Sequence, residues 1–368
     1  MAHGDARAFK QIDTQAFLEV LDRCLADTTL ATMRERVARF RDALSLAPDY
    51  QGAAPYDPST FCSHTDGTMV VRHDILIAEL DQVQAARTLR RAHHYLSRLR
   101  TGATEVRTNG VNDINLNRWK EYDDVLTDSL WLIDRRDSSG AHEAWYWGNY
   151  VPQIPRQLML RYTQAGDWVL DPFVGSGTTL IECRRLGRHG LGVELSQAVA
   201  EQAAAAIHGE PNPHAITTDL HVGDSAGTDF RSLLAAHGAD QVQLALLHPP
   251  YHDIIRFSDE PGDLSNAPSV AAFLTGFSAV VRRALDVLHP GGFLAVVIGD
   301  KYEGGQWVPL GFLAMEAVKD AGLKLKSIVV KNLNGTRAKR DQQALWRYRA
   351  LDAGFYVFKH EYIFIFQV

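Results

Sequence analysis

The stretch Asp167-Trp168-Val169-Leu170-Asp171-Pro172-Phe173-Val174-Gly175-Ser176-Gly177-Thr178-Thr179 decides the fold. Val169 and Leu170 read as the end of a buried strand, closed by Asp171. Gly175 and Gly177 supply a tight turn where backbone can approach a ligand closely. Thr178 and Thr179 open a helix that carries Leu180, Ile181 and Leu186. A strand, a glycine turn and a helix in that order place a ligand at the carboxyl end of a sheet strand. The turn has neither GKS nor GKT and lacks the third glycine of GxGxxG, so it is no phosphate-gripping loop. Asp171 fits this, because a carboxylate there repels a pyrophosphate and attracts an ammonium.

Beyond this stretch strand and helix alternate. Strands are expected at 168–171, 190–194, 220–223, 242–247, 292–299, 325–331 and 361–367, with helices between the first six. Val, Leu and Ile dominate these runs, as a sheet covered on both faces requires. The pattern predicts a doubly wound, mostly parallel α/β sheet. No crossover helix is expected before the seventh strand. Asp171, Glu194 and Asp224 close the first three strands and so line one crevice, with Glu194 following Asp171 by 23 residues. That spacing suits a carboxylate gripping a ribose diol.

Asp171 to Thr179 resembles motif I of the DNA amino-methyltransferases, which methylate cytosine N4 or adenine N6 from S-adenosylmethionine. The resemblance implies a Rossmann-like class I fold of seven strands with the last antiparallel. It implies Asp171, Pro172, Phe173, Gly175, Ser176, Gly177, Thr178 and Thr179 near the methionine moiety, Glu194 on the ribose and Asp224 on the adenine amine. Residues 147–162 are similar in position to the segment that lies over the methionine end, without its usual His-Pro opening.

The run 242–247 ends in His248-Pro249-Pro250-Tyr251, where the prolines stop the strand. It resembles motif IV, which holds an extruded base. The motif usually begins with Asp, Asn or Ser. His248 stands there instead and leaves the target base open, with cytosine N4 taken ahead of adenine N6. A neutral His248 accepts a hydrogen bond from the amine and a protonated one does not, so activity is expected to fall with pH inside the window from 8 to 5.5. Cytosine C5 chemistry would need a Pro-Cys nucleophile, and the sequence has none.

The 140 residues ahead of this domain (1–140, against 141–368) read as mainly helical, assigned to DNA recognition or a dimer contact. Helices are expected over 14–46, with Thr14 as N-cap, and over 74–100, followed by a loop or small hairpin at 101–118. Arg87, Arg91 and Arg98 form a basic ridge on the second helix, with His94 between. Trp119, Trp131, Trp145 and Trp147 are read as packing these helices onto the catalytic domain. A second basic stretch, 331–350, holds Lys331, Arg337, Lys339 and Arg340 beside Trp346 and Tyr348, and is expected to face double-stranded DNA.

The chain has 368 residues, 46% hydrophobic and 22% charged, with a net charge of -6, so DNA contact must come from local basic surface. Three cysteines without a CxxC pair argue for a reducing, cytoplasmic setting and against a disulfide framework or metal cluster. The first ten residues show no apolar signal region and no run approaches membrane-spanning length, so neither a leader nor a span is expected. An RNA amino-methyltransferase and a non-catalytic DNA-binding module are the alternatives, and a cognate restriction enzyme is a partner of the main reading.

Overall fold

The computed structural model describes residues 9–51, 67–333 and 343–368. The chain divides into two compact units, Met1–Val125 and Leu126–Val368. The boundary falls 15 residues ahead of the expected 140, because β3 below belongs to the second unit's sheet.

In the first unit, β1 (Phe9–Asp13) pairs antiparallel with β2 (Thr68–Arg72), and neither strand was expected. The helices are α1 (Thr14–Leu25), α2 (Leu30–Ser45), α3 (His73–Ala85) and α4 (Leu89–Thr104). Phe17, Leu21, Met33, Val37, Leu80 and Leu96 make its core. Both long helices of the sequence reading are therefore broken in two. Thr29 caps α2 by accepting from the Thr32 amide, and Thr88 caps α4 by accepting from the Arg91 amide. Threonine offers its hydroxyl to a free N–H and so starts a new helix more readily than it continues an old one. The cap of α1 is Asp13, not Thr14. Helix α4 runs on to Thr104, a loop rather than a hairpin follows over 105–115, and a 3-10 turn covers Leu116–Glu121.

In the second unit the first half alternates β3 (Leu130–Trp131), α5 (Gln153–Tyr162), β4 (Trp168–Asp171), α6 (Thr178–Leu186), β5 (His189–Glu194), α7 (Gln197–Gly209), β6 (Thr218–Val222), α8 (Phe230–Ala235) and β7 (Val242–Leu247). Then come α9 (Val270–Leu285), β8 (Leu288–Ile298), β9 (Lys301–Glu303), β10 (Gln306–Val308), α10 (Leu310–Asp320), β11 (Lys324–Asn332), α11 (Gln343–Ala353) and β12 (His360–Gln367). The sheet runs β3-β11-β12-β8-β7-β4-β5-β6. β12 is antiparallel to both β8 and β11, and the other pairings are parallel. The seven expected strands are present, with the two-residue β3 as an eighth at one edge. Leu170, Leu191, Val193, Leu247, Phe273, Phe277, Val296 and Phe364 fill the core.

Helix α11 stands where no crossover helix was expected. Its Leu345, Tyr348 and Leu351 are exposed, so it lacks the buried stripe by which a covering helix shows itself in a sequence. The β9–β10 hairpin was also unforeseen. Of the four tryptophans between 119 and 147, Trp131 is buried, whereas Trp119 and Trp147 are exposed rather than packed. The chain leaves β4 toward β5 and β6, then returns to β7 on the other side of β4. That reversal is the switch point at which doubly wound sheets bind ligands.

Candidate active site

At the switch point lies a cavity of about 470 Å³. Its size suits a ligand with a nucleoside and a tail. Phe173, Val174 and Gly175 of the first turn, Glu194 at the end of β5, Asp224 after β6 and His248-Pro249-Pro250-Tyr251 after β7 all line it. Residues separated by up to 78 positions, Phe173 to Tyr251, thus meet because parallel strands end at one edge.

At the end lined by the β4, β5 and β6 tips, the backbone sets the geometry. Gly175 has φ +52, and a Cβ on it would sit 2.9 Å from the Tyr146 ring. Gly177, with φ +85, caps α6 in a conformation that L side chains rarely adopt. The Gly175 amide donates to Glu194 Oε2 at 2.9 Å and the Ser196 amide to Oε1 at 3.0 Å. Burial raises the Glu194 pKa, and these amides oppose it. Each oxygen keeps a lone pair for a ligand hydroxyl. Asp224 accepts from the Ala226 amide at 2.9 Å and is otherwise exposed to the cavity.

Asp171 is fully buried and does not line the cavity. It accepts from the Phe173 amide at 2.9 Å and from the Thr179 hydroxyl, which also meets the Tyr150 hydroxyl. Burial pushes its pKa up to about 6. The structure therefore gives Asp171 the task of fixing the turn. Ser176, Gly177 and Thr179 stand behind the lining in the same way, whereas Thr178 and Pro172 reach it. Residues 146–151 lie across the turn, with Asn149 donating to the Ser176 hydroxyl at 3.1 Å. Tyr146 stacks on Phe257 at 5.5 Å between centroids, so the loop after Tyr251 reaches back over the first turn. That loop adds Asp263, which accepts from the Ser258 and Ser265 amides at 2.8 Å. Sequence reasoning assigned no individual role to Tyr146, Phe257 or Asp263, and read Tyr150 only as part of the segment 147–162 over the methionine end.

The opposite end is built from side chains. Tyr150 packs on the His248 ring at 4.8 Å between centroids. His248 Nε2 lies 3.3 Å from the Tyr251 hydroxyl, which donates to Glu361 Oε2 at 2.9 Å. Lys331 Nζ donates to Glu361 Oε1 at 2.9 Å. Lys331 and Glu361 are both buried and both line the cavity. Lys331 is accordingly no surface cation facing DNA, as the sequence reading had it. β11 points it inward to a partner 30 residues away on β12. Burial lowers the His248 pKa to about 4, with the Glu361 charge raising it and Lys331 lowering it. His248 is therefore neutral throughout pH 8 to 5.5, and the expected loss of activity inside that window does not follow from it.

Of the expected nucleic-acid contacts, Arg337, Lys339 and Arg340 lie outside the described residues. Arg87 falls in the break before α4, so it does not continue a helical ridge. Arg91 and Arg98 are exposed on α4, and Arg98 lies 3.6 Å from Glu79.

The lining tests the expected cofactor. Among the described lining residues the charged groups are Glu194, Asp224, Asp263, Lys331 and Glu361, and the one cation is paired with Glu361 at the far end. A phosphate has no counter-charge beside the glycine turn, whereas a cationic nucleoside with a ribose diol has three carboxylates. S-adenosylmethionine fits that donor set, with an ammonium, a sulfonium, a diol and an adenine amine. Among the described residues no group of three or more metal-ligating side chains occurs, and no helix is long and apolar enough to cross a membrane.

Fold and site together define a Rossmann-like α/β domain whose switch-point cavity suits S-adenosylmethionine. The family described as DNA methylase, N6_N4_Mtase, matches residues 79–205. The Type II methyltransferase M.Cfr9I of Citrobacter freundii is 33% identical over 82 residues, 22% of this chain and 26% of that protein. M2.DpnII of Streptococcus pneumoniae, also a Type II methyltransferase, is 35% identical over 99 residues, 26% of this chain and 34% of that protein. Within these segments the chain is similar to DNA amino-methyltransferases. The matched segments span only about a quarter to a third of these two relatives' lengths. Among solved structures, TrmN from Thermus thermophilus aligns over 60% of this chain and 50% of its own at 18% identity and a TM-score of 0.38. The fold rests on the strand order above rather than on that likeness.

Proposed function

We propose that this chain is a cytoplasmic enzyme that transfers a methyl group from S-adenosylmethionine to an exocyclic amine of a base in double-stranded DNA, with cytosine N4 ahead of adenine N6. The observation that carries this reading is that His248-Pro249-Pro250-Tyr251 and the Gly175–Glu194 turn line one cavity. Bound there, S-adenosylmethionine supplies an electrophilic methyl group on a sulfonium. Glu194 and Asp224 would hold its ribose and adenine, and the turn fixed by Asp171 its methionine end.

The acceptor residues act by position and hydrogen bonding. A neutral His248 accepts from the amine and draws its lone pair out of conjugation with the ring. Proline contributes no N–H at 249 or 250, so the carbonyls there meet no competing local donor. Tyr150 and Tyr251 wall the acceptor end with apolar rings and exclude water. With a pKa near 4, His248 orients the amine without storing its proton, which leaves to solvent after the nitrogen–carbon bond has formed. Exposed Arg91 on α4, together with Arg337, Lys339 and Arg340 after Lys331, would supply phosphate contacts, and a restriction enzyme reading the same site is the partner this function implies.

The test is methyl transfer from labelled S-adenosylmethionine to mixed-sequence duplex DNA, with modified nucleosides identified by mass spectrometry. N4-methylcytosine or N6-methyladenine is expected. Label on RNA alone, or cofactor binding with no labelled polymer, overturns the reading.

A further inference from the structure

The acceptor end contains a hydrogen-bonded chain whose direction can be read. Lys331 has only donors, so it donates a hydrogen bond to Glu361 Oε1. As a carboxylate Glu361 only accepts, so the single hydroxyl proton of Tyr251 goes to Oε2. The Tyr251 oxygen then has no proton left for His248 and must accept the one on Nε2. We propose that Glu361 is a positioning residue that, through Tyr251, holds His248 as the Nε2–H tautomer and so leaves Nδ1 as the ring's only lone-pair acceptor for the substrate amine. The proposal rests on the methyl-transfer reading above for what the acceptor does, and on hydrogen-bond geometry alone for which tautomer is present.

The residues come from three places, β7's tip, β11 and β12, and they meet because reversed β12 brings its first residues to the edge where the parallel strands end. A buried, paired Lys and Glu are costly to keep in a fold unless the pair does more than stabilise it. Orienting a neutral histidine is such a task, since a second group commonly fixes which ring nitrogen carries the proton.

Glu361→Gln reverses the chain. Lys331 still donates and claims the amide oxygen, so the amide nitrogen must donate to the Tyr251 oxygen. The Tyr251 proton then turns to His248 Nε2, and the imidazole shifts to Nδ1–H, presenting a donor where the amine needs an acceptor. The full-length chain labelled with 15N-histidine reports this by long-range proton–nitrogen NMR, with His248 assigned by comparison with His248→Gln. Expected are Nε2–H in the wild type and Nδ1–H in E361Q. Methyl transfer to mixed-sequence duplex DNA should show kcat lowered about 10- to 100-fold in E361Q. The KM for S-adenosylmethionine should stay within about twofold, because the cofactor-facing groups are untouched. Adding Lys331→Met to E361Q frees the amide to turn its oxygen to Tyr251, and should restore the Nε2–H tautomer and part of kcat. A merely structural role would give no such rescue.

Nδ1–H in the wild type, or an unchanged tautomer in folded E361Q, overturns the proposal. Should E361Q fail to fold, Tyr251→Phe decides: a slowly exchanging His248 Nε2 proton is expected in the wild type and a fast-exchanging one in Y251F, and equal exchange overturns it. The tautomer is read without any methyl acceptor, so a failure of the DNA reading leaves this result standing and is seen separately as absence of label on DNA.

Discussion

The two ends of the cavity are made in different ways. At the cofactor end the shape comes from backbone: amides of Gly175 and Ser196 hold Glu194, and amides of Ser258 and Ser265 hold Asp263. At the acceptor end it comes from side chains that hold one another, Lys331 to Glu361 to Tyr251 to His248. A backbone-built site tolerates changes in most neighbouring side chains, since the donors belong to every residue. A side-chain chain fails when any member is cut, since each polar group is buried and has few other partners.

This contrast predicts unequal effects of mutation. The largest is expected for His248→Ala, with kcat for methyl transfer falling on the order of 10²- to 10³-fold and the dissociation constant of S-adenosylmethionine within about twofold. Isothermal titration with single-turnover kinetics checks both, and a weakened cofactor affinity would erase the distinction between the ends. Glu194→Ala should do the reverse, raising that dissociation constant about 10- to 100-fold, as loss of hydrogen bonds to a charged group implies. Saturating cofactor should then recover most of kcat.

The third prediction uses pH. His248 needs its lone pair, and burial places its pKa at about 4. The His248-dependent part of kcat should stay flat from pH 8 to about 5 and fall only below that as the ring takes a proton. A decline centred between pH 6 and 7 would mean that the ring is better solvated than the geometry implies.

The last effect is one of stability at the cofactor end. Asp171 has its folded pKa raised from 3.8 to about 6, so its protonated form is the one the fold prefers. Its contribution is fully present below about pH 4 and is lost as pH rises through 6. Relative to Asp171→Asn, the wild type should lose on the order of 2–3 kcal/mol of unfolding free energy across that interval. Denaturant titrations at pH 4 and pH 7 compare them, and parallel curves would show the carboxylate to be better compensated than its burial implies.

Much of the cofactor end was legible in the sequence because its determinants are local. Asp171, Gly175 and Gly177 lie within seven residues, and Glu194 and Asp224 close strands whose apolar runs mark their ends. His248 to Tyr251 was equally readable as a strand stop. Lys331 and Glu361 were not: the resemblance implied an antiparallel last strand, but nothing in the order of residues says that it lies between β8 and β11 and brings Glu361 to Lys331. In a basic stretch Lys331 looked like one surface charge among several. The helix breaks at Thr29 and Thr88 were missed because the apolar spacing carries on across them while the caps interrupt the backbone. Helix α11 was missed for the opposite reason: it forms without an apolar face to announce it.

β12 follows every other strand of its sheet in the chain, yet it sits inside the sheet and joins β11 and β3 to the rest. While the ribosome is still making the segments before it, β4 to β8 can pair, but β11 can reach only the two-residue β3 and not the rest of the sheet. The acceptor end is assembled in that same late event, because Glu361 arrives on β12. A nascent chain stalled ahead of residue 360 would thus hold a formed cofactor turn beside an unfinished acceptor pocket.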